Sequence, residues 1–289
     1  MSWSLALVPL LFFAQDVYQP ALAHYANREY AKAAEEFEKA IQEQPADKPV
    51  SPETGLMLAQ SLYLSRQFEK AIPWLEKAAA SGPRKLEAGY MLGTAYIEAH
   101  HTEKAAAVFA EMFGVRPDSP AAHLLAAQMM VKQGFEDAAE AELGKAIELD
   151  PKIPEAHYLR GELATFHGQT DRAIAELKRE IEINPNYAMA YYKLADAYSR
   201  REQWDEAIPN LQRSIWLNPL YSGPYILLGK GYLKAKELSN AENVLRQALK
   251  MDPQNRSAHY ILSQTLQQEG KAEEAKKVLD RWQELGKED

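Results

Sequence analysis

Residues 188–221 read AMAYYKLADAYSRREQWDEAIPNLQRSIWLNPLY. Tyr191, Leu194, Ala195 and Tyr198 fall at i, i+3, i+4 and i+7, which is one face of an α-helix. Ala207, Leu211 and Ser214 fall at i, i+4 and i+7 in a second helical segment. Asn218-Pro219 ends that segment, because proline has no amide donor and steers the residue before it away from helical backbone. Two helices this short cannot bury their apolar faces on each other alone. They need neighbours.

The rest of the chain supplies them. Proline stands at 83, 117, 151, 185, 219 and 253, and alanine at 71, 105, 139, 173, 207, 241 and 275, each 34 residues after the last. Ala33 joins the alanine series if about four extra residues are accommodated between Asp47 and Pro52. A second column is also small: Ala59, Gly93, Ala127, Gly161, Ala195, Gly229 and Ser263. Small residues on both helices of a pair let the backbones approach. Large residues such as Phe109, Leu177 and Leu245 then fill the space beside them. A mid-helix glycine costs about 1 kcal/mol relative to alanine, so close approach must outweigh propensity at those positions. A fixed period of this kind predicts a stacked helical array.

The pattern resembles the tetratricopeptide repeat family. Leu92-Gly93, Tyr96, Ala105, Phe109 and Pro117 follow the family order, as do Tyr225, Leu228-Gly229, Tyr232, Ala241, Ala248 and Pro253. The resemblance implies an all-α fold, a right-handed superhelical solenoid of stacked antiparallel helix pairs. It runs as eight repeats over 15–47, 52–85, 86–119, 120–153, 154–187, 188–221, 222–255 and 256–289. Ser119 before Pro120, and Asn255, are expected to cap the first helices of their repeats.

Composition narrows function. A net charge of −8 disfavours a nucleic-acid footprint, which needs a basic face. Zero cysteines exclude disulfides, thiolate zinc sites and a cysteine nucleophile. HExxH, GxSxG and GxxxxGK motifs are absent, and Gly229-Lys230-Gly231 lacks the third glycine of a dinucleotide fingerprint. The expectation is therefore a protein that is not an enzyme and holds no cofactor or metal. His123, His157 and His259 share one repeat position, so they form a column and do not converge on an ion. The apolar run at 5–14 is too short to span a bilayer and resembles the core of a secretory signal peptide. Residues 1–14 are read as an export segment, giving a periplasmic or extracellular protein. The alternative is a cytoplasmic protein in which this run packs on the first repeat.

The first helices of the family line a concave groove that contacts peptides. By resemblance, the fifth position holds Tyr90, Tyr158 and Tyr192, and the ninth holds Gln128, Glu162 and Asp196. Tyrosine offers contact area with few rotors, and amides and carboxylates can hydrogen-bond an extended backbone. These six are the expected peptide-binding residues, and the acidic pair points to a basic partner. The competing reading is a structural subunit that self-associates through its edges or ends. Repeat 5 also carries two charges in core columns, Arg160 and Glu180, beside His157. The expectation is that Glu180 pairs with one of these cations, because an unpaired buried charge is costly.

Overall fold

The computed structural model describes residues 16–45, 49–82 and 84–287. Residues 1–14, with their apolar run, and Asp47 and Lys48 at the start of the expected insertion lie outside the described residues. Among those described, every regular element is helical, and no helix is long and apolar enough to cross a membrane. The chain divides into two compact units between Leu149 and Asp150.

In the first unit the helices are α1 (Gln19–Ala26), α2 (Tyr30–Gln42), α3 (Pro52–Leu64), α4 (Phe68–Ser81), α5 (Lys85–Glu98), α6 (Thr102–Met112), α7 (Pro120–Gln133) and α8 (Glu136–Leu149). The second unit has α9 (Ala156–Phe166), α10 (Thr170–Ile183), α11 (Ala188–Arg200), α12 (Trp204–Leu217), α13 (Ser222–Lys234), α14 (Leu238–Met251), α15 (Arg256–Gln268) and α16 (Ala272–Leu285). Within each unit every helix packs on the next. In the second unit the first helices also touch one another, α9 with α11, α11 with α13 and α13 with α15. The odd-numbered helices of the second unit therefore form one row and share its face.

Helix starts follow the local chemistry. Ser51, Ser119 and Asn255 each accept the N–H three residues on, from Thr54, Ala122 and Ala258. Two of these caps are the ones expected from sequence. Repeat 5 departs: its first helix begins at Ala156, two residues later than the expected start at Pro154, because Glu155 adopts left-handed backbone with φ 71°.

The turn inside each repeat has one left-handed residue, at 28, 66, 100, 134, 168, 202, 236 and 270. The next N–H then reaches back to the helix, as Gln67 N–H does to the Leu62 carbonyl at 2.8 Å. Glycine fills this position in three repeats, while Arg28, Arg66, His100, Glu202 and Lys236 hold it against their side-chain preference.

The core refines the reading of the small columns. A Cβ built on Gly93 would stand 2.5 Å from Phe109 Cζ, and one on Gly229 would stand 2.5 Å from Leu245 Cγ. Each glycine thus faces the large residue of the partner helix directly. Phe109, Leu177 and Leu245 are fully buried there.

Candidate functional site

In repeats 4 to 8 the column that begins the first helix is built in two ways. Tyr191, Tyr225 and His259 each donate from the ring tip to the carbonyl of the proline six residues earlier, at 3.2, 3.2 and 2.9 Å. His123 and His157 instead turn to the second helix of their own repeat. His123 Nδ1 lies 2.6 Å from Glu142, and His157 Nδ1 lies 2.6 Å from Glu176. All three histidines are buried or half-buried, and each makes one local contact. Among the described residues no His, Asp and Glu side chains group as a metal site would require.

Repeat 5 satisfies its charges differently from the sequence expectation. Glu176 receives both His157 and Arg160, the latter at 3.4 Å. Burial alone would raise the Glu176 carboxyl, but the His157 hydrogen bond and the Arg160 charge outweigh it and hold the group below the usual carboxylate range. Glu180 is fully buried and accepts two backbone N–H groups, from Glu155 at 2.9 Å and Tyr158 at 3.2 Å. It caps the start of α9 from across the repeat, where the helix dipole favours an anion. Burial nevertheless raises its pKa, and the two backbone donors offset this only in part.

The six expected peptide-binding residues all lie on first helices: Tyr90 on α5, Gln128 on α7, Tyr158 and Glu162 on α9, Tyr192 and Asp196 on α11. Tyr158 is buried, at 8% exposure, and the other five are half-buried. Tyr158 stacks edge-on against Tyr187, with ring centroids 5.0 Å apart, and burial first, then the neighbouring Glu162 carboxylate, raises its hydroxyl. Tyr192 repeats the arrangement one period later against Tyr221, at 5.5 Å and 88°. Burial first, then the neighbouring Tyr221 and Asp196, push the Tyr192 hydroxyl up to about 12.

Both acids already carry a cation. Glu162 pairs with Lys193 at 2.8 Å, and Asp196 with Arg200 at 3.0 Å. In the first unit, Gln60 occupies the same ninth position as Glu162. It is buried in a relay in which the Tyr25 hydroxyl donates to Gln60 at 2.8 Å and Gln60 donates to Glu87 at 3.0 Å. Thr94, the next in that column, donates to the Tyr90 carbonyl at 2.9 Å.

Between the Tyr158–Tyr187 pair and Tyr221 lies a groove of about 540 Å³, with Asn186, Met189, Ser214, Leu217 and Asn218 also in its lining. Tyr187, Tyr221 and Asn186 were not expected. Their signal was present as the turn Asn184-Pro185-Asn186-Tyr187 and its copy Asn218-Pro219-Leu220-Tyr221, 34 residues on. Gly223 permits the placement of Tyr221, since a Cβ there would stand 2.8 Å from the tyrosine ring.

No curated protein matches the chain significantly. Among solved structures, MamA resembles it at 25% identity, covering 56% of this chain and 95% of the other, with a TM-score of 0.52. MamA from Desulfovibrio magneticus RS-1 is similar at 21% identity over 59% and 97%, TM-score 0.55. YrrB, described as a TPR protein with an unusual peptide-binding site, is similar at 20% over 62% and 93%, TM-score 0.55. Residues 65–146 match the family model for anaphase-promoting complex, cyclosome, subunit 3. Models described as tetratricopeptide repeat match residues 18–85 and 131–188, 177–208, and 232–289. With the 34-residue period, the helix pairs and these matches in register over most of its length, the chain belongs to the tetratricopeptide repeat family.

Proposed function

We propose that the protein is a non-catalytic interaction scaffold whose first-helix face binds an extended polypeptide. The observation that carries this reading is the groove of the second unit lined by Tyr158, Tyr187 and Tyr221, with Tyr192 edge-on against Tyr221. Family membership supports a protein or peptide partner, and YrrB, which shares the fold, is described as having a peptide-binding site. Tyr158, Glu162, Tyr192 and Asp196 form the contact set of the second unit. Tyr90 and Gln128 hold the equivalent columns in the first. Because Glu162 and Asp196 are already paired, they serve as hydrogen-bond acceptors, and overall binding weakens only modestly with salt. The competing reading, self-association, draws on exposed Trp216 (70%) and Leu220 (86%).

The test is a partner captured from the native source and titrated by calorimetry. Tyr192→Ala weakens it about five-fold or more, while the outer-face variant Arg179→Ala leaves it unchanged. Equal binding by folded Tyr192→Ala rejects the groove. Light scattering that shows a stable oligomer disrupted by Trp216→Ser transfers the function to self-association. Residues 1–14, with the apolar run at 5–14, are read as an export segment. N-terminal sequencing of natively expressed protein that returns Met1 counts against its cleavage.

A further inference from the structure

Charge is dealt unevenly among the first helices of the second unit. Helices α9 and α11 each carry one carboxylate, Glu162 and Asp196, and both are paired. Helices α13 and α15 carry no Asp or Glu, but hold Lys230, Lys234 and Arg256. Lys230 and Lys234 are one turn apart and stand on one side of α13, and Lys236 follows in the turn. Between α13 and α15 lies a groove of about 430 Å³, lined by Leu233, Lys234, Lys236, Gln264, Gln267 and Gln268. Two cations and three amides line it, and no carboxylate does. The acids that flank it in the chain are taken: Glu237 accepts from Asn240 at 2.7 Å, and Glu269 pairs with Lys271 at 2.9 Å. Glu202 comes within 3.9 Å of Lys234, but both side chains are exposed and such a contact is weak. Among the described residues Lys236 makes no ion pair, and the three glutamine side chains make no hydrogen bond.

We propose that this groove docks an acidic segment of a partner polypeptide, with Asp or Glu side chains on Lys234 and Lys236 and the backbone on the glutamine amides. Charge complementarity carries the inference: the groove is cationic and has no carboxylate of its own, in a chain of net charge −8. A carboxylate there meets two exposed ammonium groups and displaces only the long contact to Glu202. The glutamines favour a polypeptide over other anions. Each primary amide offers a donor and an acceptor, the pair that a main-chain amide needs, whereas phosphate oxygens only accept. The negative field of the whole chain opposes a long polyanion such as nucleic acid. A short acidic segment meets chiefly the local lysines, because screening confines each charge to about 10 Å at 0.1 M salt. An extended chain presents alternate residues on one side, so acids at i and i+2 suit the groove. The proposal shares with the scaffold reading only the class of partner, since no residue lining the tyrosine groove lines this one.

Blocked pentapeptides serve as probes: acetyl-Gly-Glu-Gly-Glu-Gly-amide, and counterparts with glutamine or lysine in place of both glutamates. Binding to the full chain is followed by NMR on the side-chain amides of Gln264, Gln267 and Gln268. The acidic peptide is expected to give saturable shifts and to bind about five-fold tighter than the glutamine one at low salt, an advantage that fades as salt rises. Lys234→Gln combined with Lys236→Asn abolishes that advantage. Both side chains are exposed, and asparagine tolerates the left-handed backbone at 236, so the fold is kept. Lys250→Gln removes a charge from α14 and leaves the advantage intact. A glutamine or lysine peptide that binds as tightly as the acidic one overturns the proposal, as does a preference that survives the double variant, or no saturable shift with any probe. Tripolyphosphate or an oligothymidylate that binds as tightly as the acidic peptide overturns it too, since the groove would then be a general anion site. If a captured partner needs Tyr192 while the acidic peptide shows no preference, this inference fails and the scaffold reading stands. If the acidic peptide binds through the lysines while Tyr192→Ala leaves a captured partner unaffected, the tyrosine groove fails and this surface stands.

Discussion

Residues 1–149 carry 13 Lys and Arg against 20 Asp and Glu, while residues 150–289 carry 20 against 21. The two units share one scaffold, with a buried alanine column, a large residue opposite a small one, and a left-handed turn in each repeat. They differ in how the face of the first helices is finished. In the first unit, buried Gln60 is consumed in the Tyr25–Gln60–Glu87 relay. In the second, tyrosine pairs at 158–187 and 192–221 leave an open groove. Residues that hold helices together recur with the period, whereas the polar and aromatic side chains on the first helices differ from repeat to repeat.

The largest expected effect tests the shared scaffold. Phe109→Ala in the first unit should cost about 3–5 kcal/mol, and Leu245→Ala in the second about 2–5 kcal/mol, read by urea denaturation. Both side chains are fully buried against a glycine. A cost under about 1 kcal/mol at either site would show that the two cores are not built alike. Gly93→Ala and Gly229→Ala should follow at about 1–3 kcal/mol, because each new Cβ would meet its large partner at 2.5 Å.

The next effect breaks the symmetry. Tyr192→Ala should cost about 1–2 kcal/mol of partner binding, and Tyr90→Ala in the first unit distinctly less. Calorimetry that finds equal losses would place the site in both units and weaken the contrast. A smaller effect runs the other way. His100→Gly in the first unit and Lys236→Gly in the second, both with φ 61°, should each stabilise by up to about 1 kcal/mol, since glycine meets no side-chain clash in left-handed backbone. Destabilisation would mean that the lost side-chain contacts outweigh backbone relief, as for His100 against Phe135 at 6.0 Å.

The smallest effect is electrostatic and belongs to the last repeats. Glu242 is held down to about 2, first by its hydrogen bond to Lys271 and then by Arg246, with burial opposing both. Its folded pKa lies below the unfolded value. Its contribution to stability is therefore complete above about pH 4.5 and fades as pH falls toward about 2. Melting curves between pH 5 and 2 should show a shallower decline for Glu242→Gln than for wild type. Parallel declines would mean that this surface network adds nothing measurable.

Much of the architecture was legible in the chain. The 34-residue spacing placed the helix pairs, and the caps at Ser119 and Asn255 stand where proline and asparagine indicated. The groove was legible only in part. Of its three tyrosines Tyr158 stands in the fifth-position column of the first helices, whereas Tyr187 and Tyr221 lie in the turns between repeats, outside the helical columns. The pairing in repeat 5 was misassigned for a related reason. Sequence shows that Glu180 and Glu176 sit on one helix, four residues apart, but not which faces the α9 terminus and which faces the cations.

By itself the sequence determined that this chain is a periodic stack of short helix pairs, because each pair is one local unit whose apolar faces can be covered only by copies of itself. Only the tertiary structure decided how the individual polar and aromatic side chains were spent. It gave Glu162 to Lys193, Gln60 to an internal relay, Glu180 to a helix terminus, and left the tyrosine groove open. The physical reason is one of range. Helix formation and repeat period are set by contacts within about 34 residues, whereas a side chain's partner depends on ångström-scale distances between neighbouring helices, and a difference of one rotamer exchanges one partner for another.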